Sequence, residues 1–396
     1  MKNKLIILFA MVAFAVALPF IGNNSVDVKN PHKLDIDGNF ILYDWHNDTF
    51  DENYQSADGT SKGAPKWVAK QKQGEKWDYN LKPVQVSKRV WCFFGAMQMP
   101  TKGNAGDMSN SCYIKGNDSW IAWDSGPSYI FAEQAHAAMK KIKDMPVKTV
   151  VVSHEHDDHW LGNNYYKETQ GATIYGPRSI NVNYLGYDEH THKKKADTRE
   201  TPAQTRMIRA LYQNAIRGTK LVPVDKSFDD TTKFTLHGVR MEYVKVGYAH
   251  SEEDWFLYLP DDKVVLVADV VMNGRVTSNR DGAVIGQMKA LEAIKSRDWN
   301  QLVPGHGFIT DKTAADESIQ YFALMAERVM TARDDQNVAA DDITRYVTLE
   351  EFRNKELYYL LSPGNVFRSY EELDMYDDMD DIADSMSGDE DEDEDE

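Results

Sequence analysis

Between residues 85 and 310 the chain alternates short apolar runs with turn residues. "VQVSKRVWCFFGAMQM", "NSCYIKG" and "SWIAWDSG" are aromatic or β-branched and are bounded by Gly, Asn or Asp, which predicts strands. "SYIFAEQAHAAMKKIKD" then places apolar residues at helical spacing. The strand "VKTVVVS" follows, and "GATIYGP" reads as another. Residues 202–217 read as helical. "KLVPV", "KFTLHG", "RMEYVKVG", "DWFLYLP" and "KVVLVAD" form a second series of strands. "QMKALEAIKS" is helical, "QLVPGHG" ends a short strand, and residues 314–333 form a long amphipathic helix. Two strand series, each followed by helices, predict an α/β layered sandwich of two sheets with helices outside.

The termini depart from this pattern. Lys2 and Lys4 precede an apolar run from Leu5 to Ala17 that ends in "AVA", the pattern of a secretory signal peptide over residues 1–17. The run falls short of the roughly 20 residues needed to span a membrane. It predicts export, to a periplasm or the extracellular space, with no stable membrane span after cleavage. Residues 18–84 are a polar, loop-rich N-terminal extension. From Glu371 to Glu396 there are sixteen acids and no Lys or Arg, so residues 371–396 read as a disordered acidic tail. Without it the formal net charge of -18 falls to -2. The body is therefore near neutral and shows no nucleic-acid surface. Cys92 and Cys112 are the only cysteines. Export would permit a disulfide between them, and two buried free thiols are the alternative.

The chemistry concentrates in "VVSHEHDDHW" at 151–160. Three of the eleven histidines fall within six positions, directly after a valine strand. Strand alternation continued through the motif would put His154 and His156 on one side. A helix start would re-aim Asp158 and His159, leaving Glu155 and Asp157 as spacers. His250 follows the strand "RMEYVKV", Asp269 ends "KVVLVAD", and His306 lies just past a strand in "LVPGHG". Ligand-type residues at the ends of several strands are what a metal site at a sheet edge needs. "HTHKKK", with His190 and His192, reads as a charged loop, because no third ligand is near. His136 reads as a helix-surface or core histidine, and His237, in the hairpin turn "TLHGVR", as an exposed one. Tyr165, Tyr166 and Tyr248 lie near ligand-type residues and could touch substrate or pack in the core.

His154, His156, Asp158 and His159 as HxHxDH, with His250, Asp269 and His306 in order behind them, resemble the metallo-β-lactamase superfamily over residues 85–315. "YIKGNDSWIAWDSG" resembles that family's opening hairpin, with Asp124 as an acid behind the ligands. The resemblance implies a four-layer αββα sandwich, followed here by C-terminal helices over 316–370. It implies that His154, His156 and His250 hold one metal, that Asp158, His159 and His306 hold another, and that Asp269 bridges them. Two zinc ions per chain are expected, with iron or manganese as alternatives. A hydroxide from their shared water would attack an ester, thioester, lactone or phosphodiester-type small molecule, with Asp158 orienting it and taking its proton. An aspartate at 269, where the family's exported β-lactamases commonly have cysteine or serine, points away from β-lactam cleavage. The alternatives are a mononuclear iron sulfur-dioxygenase on the same scaffold and a non-catalytic metal- or partner-binding protein. Two departures are local: Ala268 where a glycine often precedes the aspartate, and "HWLGNN" in place of an early Gly-Gly.

Overall fold

The structure is a computed structural model. It describes residues 76–100, 104–191, 193, 213–376 and 381–382, and the backbone of four short strands between residues 32 and 65. Those four form two antiparallel hairpins, β1 (His32–Leu34) with β2 (Phe40–Leu42) and β3 (Phe50–Gln55) with β4 (Lys62–Pro65). The signal-peptide segment, His192, most of the expected 202–217 helix and the end of the acidic tail lie outside the described residues.

Two mixed sheets make the body. The first contains β5 (Val84–Gln85), β6 (Val90–Phe93), β7 (Ser111–Lys115), β8 (Trp120–Trp123), β9 (Val147–Val151) and β10 (Thr173–Tyr175), in the order β10-β9-β8-β7-β6-β5. The second contains β11 (Thr232–Leu236), β12 (Val239–Gly247), β13 (Asp254–Leu259), β14 (Val264–Met272) and β15 (Gln301–His306), in chain order. Its first hairpin turns at His237 and Gly238, both with positive φ, as a tight hairpin turn requires. "KLVPV", expected as a strand, is irregular.

Three apolar layers hold the stack. Cys92, Cys112, Trp123, Val151, Tyr243, Leu257 and Leu266 fill the space between the sheets. Helices α1 (Tyr129–Ile142) and α2 (Asn163–Gln170) cover the outer face of the first sheet, with Phe131, Ala135 and Tyr166 against Val150 and Tyr113. Helices α3 (Val284–Lys295), α4 (Lys312–Met330) and α5 (Tyr358–Leu373) cover the second, with Leu291, Phe322, Met325 and Val366 against Val267 and Val271. The result is the αββα sandwich. β14 is buried along its whole length, which explains its unbroken hydrophobic run.

Three boundaries differ from the expected ones. Trp77 and Tyr79 are buried and pack in the cluster around Phe131, so the body starts before residue 85. α4 and α5 share the core of the second sheet and are not an appendage. α5 runs to Leu373, which is fully buried, as is Ile382, so the acidic segment is not a free tail from 371. Cys92 and Cys112 are register partners on β6 and β7 and form a disulfide.

Candidate metal centre

Seven residues singled out in the sequence converge at one end of the sheets. Donor atoms of His154, His156, His250 and Asp269 lie within 4.8 Å of one another, as do those of Asp158, His159 and His306. Asp269 joins the two groups. Its Oδ2 is 3.2 Å from His250 Nε2 and 3.1 Å from His306 Nε2, and its Oδ1 is 3.1 Å from His159 Nε2. Asp158 Oδ2 is 3.5 Å from His159 Nε2 and 3.6 Å from His306 Nε2.

The route by which the chain places them differs from simple strand alternation. β9 ends at Val151, so His154 lies in a turn and His156 precedes a short helix over Asp157–Trp160. The two rings still meet, with centroids 4.8 Å apart. Asp269 is not at a strand end either. β14 continues to Met272, with its register broken around Ala268, whose φ is +45°. That irregularity re-aims Asp269 without ending the strand. His306 is the last residue of β15 rather than a loop residue beyond it. A Cβ at Gly305 would come within 1.9 Å of Asp269 Oδ1, so only glycine lets the β15 backbone pass this carboxylate.

Each imidazole has an acceptor on its outer nitrogen. His159 Nδ1 donates to Asp124 Oδ2 at 2.8 Å, His250 Nδ1 to the Ser278 carbonyl at 2.7 Å, and His306 Nδ1 to the Met108 carbonyl at 2.6 Å. Asp124 also accepts from Ser153 N and Oγ, so His154 Nδ1 donates to Ser153 Oγ at 2.9 Å. His156 turns its Nε2 to Asp281, 3.4 Å away, and its Nδ1 to the interior. Protons on the outer nitrogens leave the inner nitrogens as lone pairs facing one space. His154 Nε2, His159 Nε2, Asp158 Oδ2 and Asp269 Oδ1 are buried there without a hydrogen-bond partner. Orphaned buried polar atoms of this kind are costly unless something else satisfies them. The donor set therefore fits divalent metal.

The electrostatics divide the rings: burial prevails at His154 and His306, whereas the surrounding acids raise His156 and His159, so an ion at His159 Nε2 would take the place of a proton. Burial holds His154 and His306 below the ordinary histidine range. Burial opposes protonation of His159 too, but Asp158, Asp269 and Asp124 outweigh it and hold His159 well above that range. Burial disfavours an ionised Asp269, yet His306, His159 and His250 keep it well below the usual carboxylate range. Glu155 and Asp157 belong to neither donor group. Glu155 accepts from Asn183, and Asp157 is raised to about 7 by burial and the nearby Asp158.

Supporting residues that sequence reading missed sit between the ligand loops. Ser109 Oγ donates to the Asp158 carbonyl, and Asn110 Nδ2 donates to the carbonyls of Pro304 and Gly307. With Met108, this segment ties the first sheet's ligand loop to the second's. Asp254 accepts from the backbone N–H groups of Ala249, His250 and Ser251, closing the His250 loop. Arg275 is buried with its Nη1 3.2 Å from His306 Nδ1. "SEED" and "MSN" carry no motif that marks these roles.

The remaining candidates lie elsewhere. His136 is buried between Met145 O and the Tyr165 hydroxyl, and His237 contacts Thr149 and Asp118. His190 lies in a turn around Asp188 and belongs to neither donor group. Tyr166 is buried against Tyr113, and Tyr248 is half exposed, its hydroxyl held by Arg368.

A model of the metallo-beta-lactamase superfamily matches residues 104–306, just over half of the chain. A linear primary-alkylsulfatase of Pseudomonas sp. (strain ATCC 19151) is 23% identical over 252 residues, covering 57% of this chain and 46% of the relative. The chain thus spans about half the length of that curated relative. Among solved structures, a double mutant of the sec-alkyl sulfatase PisA1 superposes with a TM-score of 0.56 at 14% identity, over 93% of this chain and 62% of that one. A metallo-beta-lactamase from Pontibacter korlensis gives a TM-score of 0.46 at 18% identity, over 61% of this chain and 98% of that one. The ordered motif, the αββα sandwich and the convergent His/Asp groups at its edge have one common explanation: the chain belongs to the metallo-beta-lactamase superfamily.

Proposed function

We propose that the protein is an exported, dinuclear zinc-dependent hydrolase of ester-type small molecules. One observation carries this reading. The second donor group, Asp158, His159 and His306, is as buried as the first and shares Asp269 with it. A single ion at His154, His156 and His250 would leave His159 Nε2 and Asp158 Oδ2 buried and unsatisfied. That favours two ions over the mononuclear dioxygenase reading.

Two divalent ions held here would supply an acidified water and a Lewis acid for the attacked group. The chain supplies the positioning. Asp269 fixes the spacing of the two groups through both of its oxygens. Asp124 orients His159, and Ser153 joins Asp124 to His154. Asp158 Oδ2 has no competing hydrogen bond and is placed to orient the nucleophile and take its proton. The substrate classes are ester, thioester, lactone and phosphodiester. Sulfate esters join them because a relative is an alkylsulfatase. Export rests on the N-terminal leader-like segment and on the disulfide, which persists in oxidising compartments.

The test is metal quantitation on the purified mature protein, together with hydrolysis of a thioester, a lactone, a phosphodiester, an alkyl sulfate and a β-lactam. We expect about two zinc per chain and turnover of at least one non-lactam ester. His156→Ala and Asp158→Ala should each abolish turnover and lower zinc content. One iron per chain, or wild-type turnover in both variants, would overturn the proposal.

A further inference from the structure

The loop from Asn273 to Gly282 links β14 to α3 and supplies the Ser278 carbonyl that accepts from His250 Nδ1. This loop is gripped by a part of the chain that lies beyond the family match. Glu356 N donates to the Gly274 carbonyl, and Val276 N donates to the Glu356 carbonyl, both at 3.0 Å. Nine residues on, Asn365 on α5 reaches the loop with both ends of its amide. Its Nδ2 donates to the Thr277 carbonyl at 2.7 Å, and its Oδ1 accepts from Asn279 N at 2.8 Å. Those two residues flank Ser278 on either side. Asn365 is 1% exposed, and the Tyr321 hydroxyl, 2.9 Å from Nδ2, locks its remaining freedom.

A primary amide is suited to this task because it donates at one end and accepts at the other. Thr277 offers a carbonyl and Asn279 an N–H, so neither a carboxylate nor an aliphatic side chain could satisfy both. The peptide between them then cannot rotate freely, and its carbonyl stays aimed at His250 Nδ1. That bond determines which His250 nitrogen carries the proton and which faces Asp269.

We propose that Asn365 is a positioning residue for the metal centre, acting through the Ser278 carbonyl on the tautomer and ring orientation of His250. The proposal rests on His250 being a metal ligand, as argued above. It makes α5 a working part of the site, although no residue of α5 belongs to either donor group.

The test uses the full chain with isotope-labelled histidine. In the metal-free protein, nitrogen NMR should show a His250 Nδ1–H that is hydrogen-bonded and slow to exchange. In Asn365→Ala this signal should broaden or shift to a tautomer mixture. Asn365→Asp, which keeps the acceptor but loses the donor, should be intermediate and serves where the alanine variant does not fold. Ser369→Ala, one turn along the same buried face, with its hydroxyl donating to the Asn365 carbonyl within α5, should leave it unchanged. On zinc titration, Asn365→Ala should weaken one of the two equivalents by about ten- to a hundredfold and spare the other. A folded Asn365→Ala or Asn365→Asp protein with an unaltered His250 signal would overturn the proposal. Failure of the wild type to take up zinc would sink the hydrolase reading, and the metal-free His250 signal would still decide the role of Asn365.

Discussion

Ala268 holds a φ of +45° immediately before Asp269, a left-handed conformation that favours glycine. The Cβ contact there costs about 1–2 kcal/mol. Replacing alanine by glycine gives back only about 0.4–1 kcal/mol through the freer unfolded chain. Ala268→Gly should therefore raise the melting temperature slightly, read by differential scanning calorimetry. A clear fall would show that the strain is not at this residue. The sequence exposed the departure from the family pattern but not its meaning, because φ cannot be read from residue type. His136 allows a second expectation. Burial holds its pKa below the ordinary value of 6.5, so the folded protein binds its proton less readily than the unfolded chain does. Its stabilising contribution is full above pH 6.5 and declines as pH falls from there toward the folded-state value. In urea titrations, His136→Gln should flatten the loss of stability below neutrality. An unchanged slope would assign that loss to other groups.

At the scale of elements, the helix α3 has no side-chain cap of its own at Ala283. Glu372, from the last turn of α5, takes that role and accepts from Val284 N at 2.6 Å and Ile285 N at 3.0 Å. α3 in turn backs the His250 loop, since Ala283 N donates to the Ala249 carbonyl. A chain ending at 370 loses this cap and the buried Leu373, so it should be destabilised by at least about 2 kcal/mol. A chain ending at 382 should match the full protein in stability and turnover. Equal denaturant midpoints for the two truncations would contradict this. The acidic segment begins later than residue 371 because local acidity does not mean solvation: Glu372 is spent on a partner 88 positions away in sequence. Such long-range caps leave no local signature. The strands, by contrast, were legible, because period-2 patterning and Gly/Asn/Asp boundaries are local. The seven donor residues were legible because their spacing in order is itself a signal. Ser109, Asn110, Asp254 and Asn365 were not, because each works through backbone groups that any residue carries.

At the scale of the whole molecule, the segment after β9 of the first sheet brings His154, His156, Asp158 and His159, and the second sheet brings His250 from a loop, Asp269 from within β14 and His306 from the end of β15. Neither half is a complete site. An ion seated between them would act as a keystone whose thrust falls on the seam between the sheets. Ligand that binds only the closed arch adds about 4 kcal/mol of stability at a thousandfold excess over its dissociation constant. Chelation should therefore lower the melting temperature substantially. It should also speed amide exchange first along the seam, at Trp123 and Leu266, before the outer helices loosen. Uniform exchange after chelation would mean that the arch stands without its keystone.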